Sequence, residues 1–212
     1  VLLGMFRKES LKLSWPKMNN ITHELELAYK GNREYLHGTD IFTALLDVTG
    51  PVKKISIKFH KKVSKNLIAH FIDVGDLEDF RLLNNICVLM SYQKSGSTKI
   101  IAVIEGEKEI TKRQEYCEDC ITVDSEIYNQ KITQKQENFG SAIERIVALN
   151  KRLLNHLHGK NQWFFTQIDM YEYCVNTKNI SIEFERSIGG IMYKTILYND
   201  GKKVGGVIFS KK

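Results

Sequence analysis

The sequence predicts an α+β protein that uses one plan twice, a curled antiparallel sheet packed around a long helix. Three observations predict it. Prolines are scarce, Pro16 and Pro51 alone, so little interrupts extended pairing. Alternating apolar and polar segments dominate, five in each half, which is the period of strands with one buried face. One stretch of helical spacing falls between the first and second of these segments in each half.

In the first half the strand segments are Ile21 to Ala28, Ile55 to Phe59, Leu67 to Ile72, Ile86 to Tyr92 and Lys99 to Ile104. The helix is Thr39 to Thr49, with Ile41, Phe42, Leu45 and Leu46 on one side and Gly50-Pro51 ending it. In the second half the strands are Ile121 to Tyr128, Phe164 to Tyr171, Ile180 to Phe184, Ile191 to Tyr198 and Lys203 to Phe209. The second helix is Phe139 to Leu157, whose Ile143, Ile146, Leu149, Leu153 and Leu157 share a face. Both halves close on strand, glycine turn, lysine, strand: Tyr92 to Ile104 around Gly96, and Tyr198 to Ile208 around Asn199-Asp200-Gly201. The second is a strong hairpin signal, because asparagine and glycine reach the backbone angles of a tight turn cheaply. The expected division is 1–17 as a tail without a counterpart, 18–110 as the first repeat and 111–212 as the second. An insertion from Asp73 to Asn84 and a shorter helix set the first repeat apart.

The chain has 212 residues and 42% hydrophobic content, enough for a substantial core. No run approaches the roughly 18 apolar residues of a spanning helix, and no basic, apolar, small-residue leader opens it, so the expectation is a cytoplasmic protein without membrane contact. A formal charge of +6 favours anionic partners. Its lysines fall in scattered pairs such as Lys53-Lys54 and Lys61-Lys62, without the stripe and interleaved aromatics of a nucleic-acid surface, so nucleic acid is not the expected partner. Cys117 and Cys120 form a Cys-x-x-Cys pair, but neither Cys87 nor Cys174 supplies a second knuckle. The expectation is reduced free thiols and no metal site.

Strand, buried helix and four antiparallel strands, with the closing run Ile180 to Ser210 around its Asp-Gly-Lys turn, resemble the hotdog fold over about residues 18–212. The resemblance implies a double hotdog: two antiparallel sheets, each wrapped around a helix and joined edge to edge. One chain would then supply the pair that hotdog domains normally form, as a monomer or as a homodimer of such chains. It also implies that an acyl thioester lies between the helices with its carbonyl near a helix N-terminus, where free backbone amides polarise it. Coenzyme A or phosphopantetheine would enter as part of the substrate, carried as acyl-CoA or on an acyl carrier protein, and no separate cofactor is implied.

The residues before each helix are therefore the candidates. Tyr35-Leu36-His37-Gly38-Thr39-Asp40 holds a histidine, a glycine permitting close approach, a threonine placed to cap and an acid in the first turn. Gln136 to Ser141 adds Glu137, Asn138 and Ser141, and Glu144 follows on the helix. His37, Asp40, Glu144 and Glu137 are the catalytic candidates; Gly38, Thr39, Asn138 and Ser141 are the binding candidates. The bland readings stand beside them, since Thr39 can simply cap, Asp40 complement the helix dipole and Ser141 start the second helix.

Three activities fit the resemblance. Hotdog dehydratases pair a histidine with a carboxylate on the partner's helix, as His37 and Glu144 would, although the proline-punctuated motif of those enzymes is absent. Thioesterases use a carboxylate near the helix start to direct water, a role open to Asp40, Glu137 or Glu144. Double hotdogs of polyketide assembly run acyl transfer or decarboxylation. The alternative to an enzyme is a non-catalytic module that holds an acyl ligand or a partner.

Overall fold

The computed structural model describes residues 21–83, 85–135, 139–173 and 178–211. Glu137 and Asn138, the 1–17 tail and Cys174 lie outside them.

In the first half, β1 (Thr22–Leu25) and a short β2 (Tyr29–Lys30) precede α1 (Gly38–Thr49). Strands β3 (Lys53–Phe59), β4 (Lys65–Ile72), β5 (Ile86–Lys94) and β6 (Ser97–Glu109) follow, with α2 (Leu77–Leu83) between β4 and β5. A short β7 (Arg113–Gln114), α3 (Glu118–Thr122) and the hairpin β8 (Ser125–Tyr128) and β9 (Lys131–Gln134) lead into α4 (Ala142–His158). The chain closes with β10 (Trp163–Glu172), β11 (Ile180–Ile188), β12 (Met192–Asn199) and β13 (Lys202–Lys211). Each half thus places two short strands and a helix before four longer strands.

Two large sheets were expected, and beside the small pair of β2 and β7 the structure merges them into one. Its eleven strands run β1-β4-β6-β5-β3-β10-β13-β12-β11-β9-β8. The halves meet where β3 pairs antiparallel with β10, Ile57 opposite Ile168 and Ile55 opposite Met170. Backbone hydrogen bonding across that seam satisfies two strand edges that would otherwise lie open, so edge-to-edge joining merges the sheets. Helices α1 and α4 touch each other on one face. Phe42 and Leu45 of α1 share a single core with Ile143, Leu149 and Leu153 of α4 and with inward residues of both halves.

Seen outward from the seam, the halves differ in one exchange. The second reads β10, β13, β12, β11 and β9, with hairpins joining β11 to β12 and β12 to β13; the first reads β3, β5, β6, β4 and β1. Strands β4 and β5 therefore point the same way with β6 between them, and such a pair needs a crossover of a dozen or so residues rather than a hairpin. The Asp73 to Asn84 insertion is that crossover. Its α2 rests on the face away from α1, with Phe80 packed on Ile72 and Ala102, whereas Ile101 and Val103 of the same strand point into the main core. Both closing hairpins turn alike, through Ser95 and Gly96 at φ 51° and 79° and through Asp200 and Gly201 at φ 48° and 77°. Two consecutive positive φ angles match the twist of the strands they join.

Three further expectations are corrected. The segment Ile121 to Tyr128 is not one strand: it begins in α3, where the Cys117 sulfur accepts from the Cys120 N–H, and only Ser125–Tyr128 is extended. The strand that pairs beside β11 is β9, with Ile132 opposite Ile182. Cys117 and Cys120 are joined as a disulfide rather than held as free thiols, the three-residue spacing bringing their Cα atoms to 5.4 Å, within bonding reach; Cys87 is free and buried. The second helix starts at Ala142, not Phe139, because Ser141 caps it: its hydroxyl accepts from the Glu144 N–H while the Glu144 carboxylate accepts from the Ser141 N–H.

Candidate functional site

The two helices start side by side, and a buried lysine joins them. Lys30, only 4% exposed, stands on β2, which β7 holds in register through Tyr29 opposite Arg113 and Lys30 opposite Gln114. Its ammonium pairs with Asp40 in the first turn of α1 and with Glu144 in the first turn of α4, and it donates to Thr39 Oγ1 at 3.3 Å. Thr39 Oγ1 in turn lies 2.6 Å from His37 Nδ1. His37, Thr39, Asp40 and Glu144 thus belong to one polar network, with Lys30 at its centre.

Electrostatics sorts their protonation. Burial pushes His37 down to about 2, helped by the cations Lys151, Arg33 and Lys30, so the imidazole is neutral. Burial raises Asp40 against the opposing pull of Lys30, and the nearby Glu144 charge adds to the rise. Burial also opposes ionisation of Glu144, but the bonds from Lys30 and from the Ser141 N–H outweigh it and hold the carboxyl below its usual range. Glu144 spends one oxygen on Lys30 and the other on Ser141 at 2.7 Å. Among the described residues, Asp40 Oδ2 and Tyr116 Oη are buried without a hydrogen-bond partner. The Tyr116 ring covers the network, its centroid 5.2 Å from Lys30 Nζ, 4.9 Å from the Arg33 guanidinium carbon and 5.2 Å from the His37 ring.

Thr39 does not cap α1. The helix begins one residue earlier, at Gly38, with His37 as its N-cap, and the His37 side chain bonds no helix amide. The first amides of α1 consequently lack a side-chain partner. Beside them lies a cavity of about 440 Å³. Its walls include His37, Gly38 and Ile41 of α1, Phe59 of β3, Val147 of α4 and Phe165 of β10, so both helices and both sides of the seam build it. Gly38 is needed there, since a Cβ would come within 2.9 Å of the Phe165 ring. At the mouth, Lys62 sits over the rings of Tyr35 and Phe164 at 4.7 and 4.3 Å. Tyr35, Lys151 and Trp163 also line an adjoining cleft of about 780 Å³ that carries Arg33 and Arg152.

No protein-family profile matches the chain, and none of the curated proteins does. Solved structures do. A protein of unknown function with a hot dog fold from Alicyclobacillus acidocaldarius is 10% identical over 91% of this chain and 93% of that one, with a TM-score of 0.46. An acyl-ACP thioesterase from Bacteroides thetaiotaomicron is 9% identical over 91% and 98%, at 0.45. The dehydratase domain of PpsC from Mycobacterium tuberculosis, solved with C12:1-CoA, is 9% identical over 91% and 93%, at 0.46. At such identities no side-chain role passes from those proteins to this one.

Of the residues singled out in the sequence, the structure brings His37, Thr39, Asp40 and Glu144 into one network and Gly38 to the cavity wall; Lys30, Tyr116 and the use of Phe165 as a wall were not among them. No local pattern singles out Lys30, because one of the acids it pairs with, Glu144, stands 114 positions away and meets it only in the fold. Ser141 is the cap of α4, so its hydroxyl is committed to structure.

Proposed function

We propose that the chain is a double hotdog, divided near residue 110, that handles acyl thioesters at the start of α1. The observation that carries this reading is the apolar cavity of about 440 Å³ opening on His37 and Gly38, where the Asp40 and Ile41 amides bond the His37 carbonyl but no side chain caps those of Gly38 and Thr39. A thioester carbonyl accepts from those amides, its acyl group fills the aromatic cavity, and its carrier, coenzyme A or the phosphopantetheine of an acyl carrier protein, leaves past Lys62 and Lys151. No helix among the described residues is long and apolar enough to cross a membrane. A cytoplasmic location belongs to the same proposal, and since thiols are kept reduced there, it makes the Cys117–Cys120 bond a reversible feature.

Hydrolysis fits the site better than dehydration. Dehydration asks a carboxylic acid to protonate a departing hydroxyl, and Glu144 is held ionised with both oxygens engaged. Hydrolysis asks for a polarised carbonyl and a directed water, and neutral His37 beside Thr39 can orient either by hydrogen bonding. One observation favours binding without turnover as the second reading: a histidine pushed down to about 2 is a weak base.

Incubation with a panel of acyl-CoA and acyl-carrier substrates, followed by native mass spectrometry and thiol release, tests both. Release that disappears in His37→Ala and Asp40→Ala while the fold persists supports the enzyme. Retention of intact acyl thioester without release supports the binding module, and a protein that neither retains nor cleaves any of them rejects both.

A further inference from the structure

We propose that Cys117 and Cys120 form a thiol–disulfide exchange site for an external dithiol, and that its two states hold or release the segment covering the polar network. Both residues are exposed, unlike buried Cys87. Both line a cleft of about 780 Å³ with Asn32, Phe139 and Glu144, so an incoming thiol has access. The bond closes a loop with a sequence separation of 3, and so short a loop restrains the unfolded chain little. Reduction therefore forfeits little global stability.

The chemistry has a direction. The thiolate of the dithiol attacks Cys120 Sγ, the sulfur–sulfur bond breaks, and the electron pair moves to Cys117 Sγ. That sulfur already accepts the Cys120 backbone N–H at 3.3 Å, which supports the developing thiolate and favours it as the leaving group. The second thiol of the reductant then attacks the mixed disulfide and frees Cys120. The two thiol protons of the reductant end on Cys117 and Cys120, the protein gains two electrons, and the reductant becomes a disulfide.

The residues on either side of Cys117 give the exchange its consequence. Tyr116 lies over Lys30, Arg33 and His37. Glu118 pairs with Arg33 at 3.2 Å and with Lys151 at 3.1 Å, and Lys151 lines the aromatic cavity. Helix α3 has five residues, too few to hold itself; its far end is fixed by buried Ile121 and by Gln134 and Arg152 donating to the Ile121 and Thr122 carbonyls, and the disulfide pins its first turn. Once the bond opens, residues 115–120, between the β7 pairing with β2 and the buried Ile121, keep the Tyr116 ring contacts and the partly exposed Glu118 ion pairs. This inference concerns the cover and stands whichever ligand the site takes.

Hydrogen–deuterium exchange of the folded protein before and after dithiothreitol, with alkylation mapped by peptide mass, tests it. Native reduction should let both cysteines alkylate while Cys87 stays protected. Exchange across residues 29–41 should then rise about tenfold, in the reduced protein and in the variant with Cys117→Ser and Cys120→Ser. A pair that reduces only after global unfolding overturns the exchange site. Reduction that leaves exchange at 29–41 unchanged overturns the release of the cover, and the reduced wild-type chain decides this even if the serine variant does not fold.

Discussion

Lys30 and Glu144 stand 114 positions apart in the chain, yet their side chains form one buried ion pair that Asp40 shares. Lys30 belongs to the first half and Glu144 to the second, so the pair pins the start of α4 to the start of α1. A Lys30→Met variant would leave two mostly buried carboxylates facing each other. The expected loss is about 3–5 kcal/mol, the usual cost of removing one partner from a buried pair. Adding Glu144→Gln should restore part of it by removing the repulsion. Urea unfolding measures both, and a loss below about 1 kcal/mol for Lys30→Met would contradict the clamp.

His37 gives the fold an acid sensitivity of known sign. Its ordinary value of 6.5 applies to the unfolded chain, and burial takes it to about 2 in the folded one. Between those values the unfolded chain binds a proton that the folded chain refuses, so stability rises with pH across that window. The contribution is complete above 6.5 and is lost progressively as pH falls toward 2. One proton limits the slope to about 1.4 kcal/mol per pH unit. Because Asp40, raised by burial, titrates with the opposite sign, the measurement is the difference between wild type and His37→Gln. That difference should be flat above pH 6.5 and should slope below it; a flat difference throughout rejects the burial of a neutral imidazole.

Much of this architecture was legible because alternation and helical spacing are local. Ile55 to Phe59 and Ile180 to Phe184 lie within β3 and β11, and Asn199-Asp200-Gly201 marked a turn that positive φ angles realise. What could not be read depended on partners far away in the chain. Lys30 is one lysine among many until the strand pair β2 and β7 buries it. Likewise the crossover over β6 is invisible in a pattern that specifies strands but not their neighbours. The spacing of Cys117 and Cys120 is plain in the sequence, but whether such a pair is oxidised depends on the geometry of the turn and on the redox surroundings, and alternation reports neither.

Gly38→Ala should separate the cavity from the fold. The added methyl meets the Phe165 ring at 2.9 Å and the Phe59 ring at 3.4 Å, both ends of side chains, so the rings can turn at a cost of about 1–3 kcal/mol. They turn into the cavity they line. Affinity for an acyl thioester, read by calorimetry, should fall about tenfold or more, since the site loses volume and its amides lose access. Phe165→Leu in the same chain should restore binding by making room. Unchanged affinity in Gly38→Ala would place the ligand elsewhere.

Gly205 tests the wall from the neighbouring strand. It lies in β13 opposite Met170 of β10 and Leu197 of β12, and a Cβ built on it would stand 2.0 Å from the Asp169 carbonyl oxygen. The obstacle is backbone rather than a side-chain tip, so relief requires β10 and β13 to separate, and β10 carries both the seam with β3 and the aromatic wall of the cavity. Gly205→Ala should therefore cost upwards of about 3 kcal/mol. Gly75→Ala, where nothing lies within 4 Å, should stay within about 0.5 kcal/mol of wild type. Urea midpoints of the two variants, compared at equal slope, measure the contrast. If Gly205→Ala unfolds no earlier than Gly75→Ala, then β13 does not approach β10 as closely as their pairing requires.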